Sequence, residues 1–123
     1  AVRWAGDMLT VDELIAAFRS AAIAKADFAE PPRRDHQLHA RMTSALHQLR
    51  QHGAAGESAF RALLDDSSSH VRGWVAAELL SRGDPDARAV LEELSRAPGP
   101  EGFNASMTLR EDDAGHLSSP FPS

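Results

Sequence analysis

Short amphipathic segments, each closed by a helix-breaking residue, constrain the fold of this chain most strongly. Between residues 10 and 97, apolar residues recur every three or four positions, which is the spacing of one face of an α-helix. The segments are interrupted by Pro31-Pro32, Gly53, Gly83 and Pro98-Gly99-Pro100, which are residues that end helices. The pattern predicts an all-α fold of short helices.

Composition favours the same fold class. Apolar residues make up 42% of the chain, but aromatics only 6%, and tyrosine is absent. Alanine and leucine must therefore fill most of the interior, which suits close-packed helices better than strands. The chain has no cysteine, which excludes disulfides, cysteine-ligated zinc and thiol nucleophiles. No apolar stretch reaches the ~18 residues of a membrane span, and the sequence predicts a cytoplasmic protein.

Start and stop signals predict six helices. Thr10 and Glu13 have the spacing of a capping box, and Asp84-Pro85 is an N-cap followed by proline at the first helical position. The loop of residues 65–69 offers caps for the fourth helix. The predicted helices run from Val11 to near Phe28, from near Asp35 to the stop at Gly53, over 57–64, over 70–81, from Asp84-Pro85 to the break at Pro98, and over 102–110.

Two of these segments carry specific expectations. The fourth is apolar almost all round, so it should be the most buried helix, with Trp74 in the core rather than exposed as an anchor. In residues 102–110 apolar residues occupy every second position, a pattern that by itself indicates a strand. No partner strand is visible, and a lone strand cannot satisfy its backbone. A helix with Phe103 and Met107 pointing inward is therefore favoured.

The ends of the chain are set apart from the domain by their composition. Residues 1–7 lack the layout of a signal peptide and are predicted to be an extension or a tag remnant, with Met8 as a natural start. The predicted helical domain covers residues 8–112. Residues 113–123 are rich in Ser, Pro and Gly and are predicted to be disordered, or ordered only by a contact.

The helices should pair as antiparallel hairpins, one with two, three with four and five with six, because their connections are short. The third and fourth resemble a HEAT repeat, a helix hairpin that stacks into superhelices. In such repeats an acid in the turn pairs with an arginine that opens the second helix, which here predicts Asp65 or Asp66 with Arg72. The residues that carry this resemblance are Leu63-Leu64-Asp65-Asp66, Val71-Arg72, Ala76-Ala77 and Leu80.

A closer resemblance covers residues 8 to 112. It rests on three segments: Thr10-Val11-Asp12-Glu13-Leu14, residues 69–77 (SHVRGWVAA) and residues 102–111 (GFNASMTLRE). The chain resembles a small bacterial HEAT-like family known as domain of unknown function two-thousand-nineteen. The resemblance implies a short right-handed superhelix of antiparallel hairpins and a helical last piece, but no activity. The acidic Asp112-Asp113 departs from the family pattern, in which a Trp and basic residues tend to follow.

No catalytic, cofactor or metal site is predicted. His36 and His39 are three residues apart on a helix, but three or four convergent ligands are needed for a metal. Asp65-Asp66 are adjacent in a turn and are expected to cap helices and pair with Arg72 rather than act as an acid–base pair. Residues 67–69 lack the Gly-x-Ser-x-Gly context of a nucleophile.

Binding of another protein is the predicted function. Stacked hairpins offer an extended concave surface, and the net charge of −5 suits a basic partner. The specific hypothesis is an immunity protein that neutralises a basic bacterial toxin. The alternative is a nucleic-acid-binding HEAT-like protein, which the charge and scarce aromatics disfavour. The residues predicted to bind the partner are Arg41, Gln48, Asp65, Asp66, Glu78 and Arg82.

Overall fold

The computed structural model describes residues 9–26 and 32–122. Within these residues the chain forms six α-helices and no strand, so the all-α prediction is confirmed. A single 3-10 turn, Leu63–Asp65, lies between the third and fourth helices. The helices are α1 (Val11–Ala24), α2 (Pro32–Gln51), α3 (Ala54–Ala62), α4 (Ser69–Ser81), α5 (Pro85–Leu94) and α6 (Gly99–Asp113).

Caps fix the helix starts much as the sequence predicts. The Thr10 hydroxyl accepts from the Glu13 backbone N–H at 3.1 Å, and the Glu13 carboxylate accepts from the Thr10 N–H at 2.9 Å. Ser68 caps α4 and Asp84 caps α5 through their side chains. The second helix starts at Pro32, so Asp35 lies in its first turn and is not the N-cap. The first helix ends at Ala24, before the end predicted near Phe28. Phe28 itself and residues 1–8 lie outside the described residues.

The core lies where the apolar faces of the helices meet. Helix α1 packs along α2, and α5 packs along both α4 and α6. Helix α4 also contacts α1, α3 and α6, which confirms the prediction that it is central. Phe18 of α1 meets Phe60 of α3 edge to face, with 5.3 Å between ring centroids. None of the helices in 9–26 and 32–122 is long and apolar enough to cross a membrane.

Helix α6 presents a different face from the predicted one. Gly102 and Ala105 are buried, whereas Phe103 is 64% exposed and Met107 38% exposed. The prediction that Phe103 and Met107 point inward is therefore wrong. A Cβ atom on Gly102 would lie 1.8 Å from the Ala97 carbonyl oxygen. The helix can turn this side inward because its small residues let the backbone approach the preceding loop.

The C-terminal segment departs from the predicted disorder. Asp113 is the last residue of α6, and the chain after it folds back over the helices. Phe121 is only 1% exposed and packs against Phe18, His39 and Trp74. Disorder is thus the wrong prediction for residues 113–122, which are ordered by a contact. The reason is one large aromatic side chain, whose burial stabilises the ordered segment.

The close approach at Gly102 gives a test of the α6 placement. Gly102→Ala should lower the free energy of unfolding by about 1–3 kcal/mol, because the backbone must shift to admit the methyl group. Gly73→Ala is the matched control, since a Cβ there would lie 3.7 Å from Leu94 Cδ1, an ordinary contact. It should be neutral or stabilise the mid-helix position by up to about 1 kcal/mol. Urea denaturation measures both, and equal effects would contradict the placement.

Candidate binding surfaces

A buried carboxylate lies at the C-terminal half of α4. Glu78 is 0% exposed. Its Oε2 accepts hydrogen bonds from Arg50 Nη2 of α2 at 2.9 Å and from Arg82 Nε at 2.6 Å. Its other oxygen, Oε1, accepts from the Ser119 hydroxyl of the C-terminal segment. One carboxylate therefore joins α2, α4 and the end of the chain.

The same cluster extends to α3. Arg82 Nη1 donates to Glu57 Oε2 at 2.7 Å, and the guanidinium lies 6.0 Å from the Phe60 ring centroid. Burial acts to lower the pKa of Arg82, but the hydrogen bonds to Glu57 and Glu78 outweigh it and raise the pKa above its ordinary value. The guanidinium thus stays charged and compensates the buried carboxylate of Glu78.

Arginine also fixes the turn before α4. Both oxygens of the Asp66 carboxylate accept from Arg19 of α1, at 2.6 and 3.0 Å. Arg72 binds the Asp66 backbone carbonyl at 2.7 Å. The predicted pairing of the Asp66 carboxylate with Arg72 is therefore wrong, because this carboxylate pairs with Arg19, which the sequence did not indicate, and Arg72 reaches the Asp66 main chain instead. The hydrogen bonds from Arg19 hold the pKa of the Asp66 carboxyl below its usual value, against the opposing effect of burial.

Further arginines tie later helices together. Arg61 of α3 pairs with Asp84 and Asp86 at the start of α5. Arg88 of α5 donates to Asp112 and Asp113 at the end of α6, both at 2.9 Å. These guanidinium groups are occupied by carboxylates, so they are poorly placed to bind phosphates.

The predicted partner-binding residues do not form one surface. Arg41 and Asp65 are exposed, Gln48 is half-buried, and Arg82 bonds to Glu57 and Glu78. The prediction that Glu78 faces a partner is wrong, because its carboxylate is buried between two arginines. Asp66 lies in the turn before α4, whereas Glu78 is nine residues beyond the first residue of α4, which places it about 14 Å along the helix at 1.5 Å per residue.

Two histidines form hydrogen bonds with main-chain carbonyl groups. His39 Nε2 lies 2.7 Å from the Pro120 carbonyl oxygen, and His52 Nε2 lies 2.7 Å from the Leu9 carbonyl oxygen. Among the residues that the structure describes, no group of three His, Asp or Glu side chains could hold a metal ion.

A groove lies between α4 and α6 on the described surface. Its volume is about 460 Å³. The floor is mainly apolar and the α6 side adds polar groups. The lining residues are Ser69, His70, Gly73, Trp74, Ala77, Leu91, Leu94, Glu101, Asn104, Ala105, Met107, Thr108, Glu111 and Leu117.

One acceptor in this groove lacks a partner within 9–26 and 32–122. Glu101 Oε1 is buried from solvent and receives no hydrogen bond. An unsatisfied buried carboxylate oxygen costs free energy until a donor reaches it. The groove therefore combines an apolar floor with an acidic residue in its lining.

Exposed apolar side chains continue the groove along α6. Phe103 and Met107 are four residues apart, so they are neighbours on the helix surface, and Met107 also lines the groove. Exposed aromatic and methionine side chains beside a concave surface are typical of protein–protein interfaces.

Sequence reasoning missed this groove for a specific reason. It assigned the larger apolar residues of α6 to the core and overlooked Gly102 and Ala105, whose i, i+3 spacing marks a close-packing face. The lone Phe121 between two prolines was also a signal that the segment docks.

Comparison of the chain with protein families, with curated proteins and with solved structures found no match. The resemblance to a HEAT-like family therefore stays a prediction that rests on its three sequence pieces.

The burial of Glu78 predicts a large effect of neutralising it. Glu78→Gln should lower the free energy of unfolding by about 2–4 kcal/mol, because Arg50 and Arg82 lose their shared counter-charge. Glu57→Gln is the matched control from the same cluster, where the side chain is 41% exposed, and it should cost less than about 1 kcal/mol. Denaturant unfolding gives both values, and similar losses would show that Glu78 is not the centre of the cluster.

The Asp66–Arg19 pair predicts an acid dependence of stability. Because the folded-state pKa of Asp66 is lowered, its stabilisation is complete above the unfolded-state pKa of about 4 and is lost as pH falls through the folded-state value. The stability advantage of wild type over Asp66→Asn should thus be constant at neutral pH and shrink below about pH 4. Urea midpoints from pH 7 to pH 2 measure this. Asp65→Asn controls for the loss of one charge in the loop, and a wild-type advantage that persists at pH 2 would refute the pairing.

Proposed function

We propose that the protein is a non-catalytic protein-binding module whose binding site is the α4–α6 groove with Phe103 and Met107. The carrying observation is an apolar groove lined by the acidic residues Glu101 and Glu111, next to two exposed apolar side chains. A partner that fits this surface inserts an apolar side chain and brings a Lys or Arg to Glu101.

The charge of the surroundings supports a basic partner. Glu101 and Glu111 both line the groove, and the chain carries a net charge of −5. Opposite charge on the partner speeds the encounter and disfavours acidic competitors. A helix of the partner lying in the groove, with apolar anchors on one face, is the matching recognition mode.

The architecture in this proposal is a short HEAT-like right-handed superhelix. One arginine–carboxylate pair joins the two helices of a hairpin, from Arg82 at the end of α4 to Glu57 of α3. Another joins successive hairpins, from Arg61 of α3 to Asp84 at the start of α5. In that arrangement α4 and α6 are the second helices of consecutive hairpins, and the groove between them belongs to the concave face.

The specific proposal is an immunity protein that binds and neutralises a basic toxin in the cytoplasm. It is supported by the acidic charge and by the acidic residues that line the groove. A nucleic-acid partner is less compatible, since the arginines on α3 and α5 are paired with carboxylates and the groove carries Glu101 and Glu111.

Affinity capture with matched baits tests the groove. A Phe103→Ser, Met107→Ser double variant should lose a partner that wild type retains, by at least about tenfold in affinity, because both anchors are removed. Ile23→Ser is the control, since Ile23 is a large apolar side chain 43% exposed elsewhere, on α1. The captured protein is then purified and titrated against each chain by calorimetry.

Titration of the purified partner against variants of the chain tests whether the partner is basic and whether it contacts Glu101. A basic partner should bind Glu101→Gln about tenfold more weakly than wild type and should weaken with added salt. Arg41→Glu and Asp65→Lys variants measure the remaining predicted contacts. Equal loss of binding in the Ile23→Ser chain, or an acidic partner, would argue against the proposed site.

A further inference from the structure

The C-terminal segment inserts one side chain between three helices. The Phe121 ring meets Phe18 of α1 edge to face at 5.6 Å, stacks on His39 of α2 at 5.1 Å and tilts against Trp74 of α4 at 5.7 Å between centroids. We call these three lining residues the aromatic slot. The slot is built by side chains from three helices that also pack through other contacts.

Polar contacts flank the ring on its N-terminal side. His39 Nε2 donates to the Pro120 carbonyl oxygen at 2.7 Å. The Ser119 hydroxyl donates to the buried Glu78 Oε1 and accepts from the Phe121 backbone N–H at 2.9 Å. A hydroxyl, a carbonyl and an aromatic ring within three residues are thus each matched by a group on the helices.

This contact has the form of short-segment recognition. Residues 117–120 have no helix or strand hydrogen bonding, and Ser118 and Pro122 on either side are exposed. The segment leaves α6 through Gly115, at φ 75°, and the exposed His116. Irregular segments with exposed residues on both sides of one buried ring can open locally, so the slot can be vacated without unfolding the helices.

Glu78 gives the slot its chemical preference. Its Oε2 accepts hydrogen bonds from Arg50 and Arg82, which fix the position of the carboxylate. Its Oε1 accepts from the Ser119 hydroxyl, so an occupant that lacks a donor at this position leaves a buried acceptor unsatisfied. The slot therefore selects both the ring and the hydroxyl two residues before it.

We propose that the aromatic slot is a binding site for an extended segment of a partner protein with serine two residues before phenylalanine, and that residues 119–121 are its intramolecular occupant. This site differs from the α4–α6 groove, although Trp74 borders both. Because residues 119–121 belong to the same chain, they compete for the slot at an effective concentration of the order of millimolar. A partner segment therefore binds when its affinity or concentration outweighs this competition, or when the tail is displaced.

The experiment titrates a synthetic peptide of residues 116–122 into full-length chains. Phe121→Ala vacates the slot and should bind the peptide one to one, at least about tenfold more tightly than wild type, whose own tail competes. All chains carry Trp4→Phe, so that Trp74, the other of the two tryptophans, reports binding by fluorescence. The peptide with Ser119→Ala should bind about tenfold more weakly, and the Phe121→Ala peptide should not bind.

Two further measurements keep the test decisive if Phe121→Ala destabilises the fold. The peptide should raise the melting temperature of Phe121→Ala more than that of wild type. The chain with Ser119→Ala, which keeps the ring but loses the Glu78 contact, should also bind the peptide more tightly than wild type. The Phe103→Ser, Met107→Ser chain should bind the peptide as wild type does, which separates this site from the groove.

Three results would contradict the proposal that the aromatic slot binds a partner segment. A folded Phe121→Ala chain that binds no peptide at millimolar concentration, or that binds the Ser119→Ala peptide equally well, would show that the tail only completes the core. A concentration-dependent dimer that requires Phe121 would show that the occupant is the tail of a second copy.

Discussion

The buried carboxylate of Glu78 is the constraint on which the arrangement of the other helices depends. A charge with no exposed surface in the centre of a small helical protein is costly unless cations and donors surround it. Here Arg50 brings α2, Arg82 brings the end of α4, and Ser119 brings the C-terminal segment to one carboxylate. An apolar residue at this position would offer α2 no directional contact, whereas hydrogen bonds to a fixed carboxylate admit few arrangements.

Close backbone contact determines the other half of the molecule. Gly102 and Ala105 let α6 approach the loop before it, and this rotation turns Phe103 and Met107 to the surface. The groove between α4 and α6 results from this orientation of α6, because the small side chains that face inward fill less of the space between the helices than large ones would. The same rotation brings Glu101 to the groove, where its Oε1 has no donor within the described chain.

The two surfaces share a border at Trp74, which lines the groove and contacts Phe121. Leu117 of the C-terminal segment also lines the groove. Release of the tail would therefore change one wall of the groove as it empties the aromatic slot. A partner bound at one site would therefore change the shape of the other through Trp74 and Leu117.

Much of the fold was predictable from local rules. The capping box at Thr10, the Asp84-Pro85 start and the stops at glycine and proline gave the helices and their order, because these signals act within one turn of chain. The apolar character of residues 71–80 also identified the central helix. The candidate sites were not predictable in the same way: Glu78 looked like a solvent-facing helical acid, and Phe103 and Met107 looked like core.

By itself, then, the sequence determined the helical class, most helix boundaries and the central position of α4, since periodicity and capping are properties of neighbouring residues. Only the tertiary structure decided that Glu78 is buried, that Asp66 pairs with Arg19 of a distant helix, that α6 turns Phe103 outward, and that Phe121 returns to the core. The physical reason is that each of these depends on which side chain from elsewhere in the chain reaches a given group. Partners 47 residues apart for Asp66 and 41 for Glu78 leave no periodic trace in the sequence.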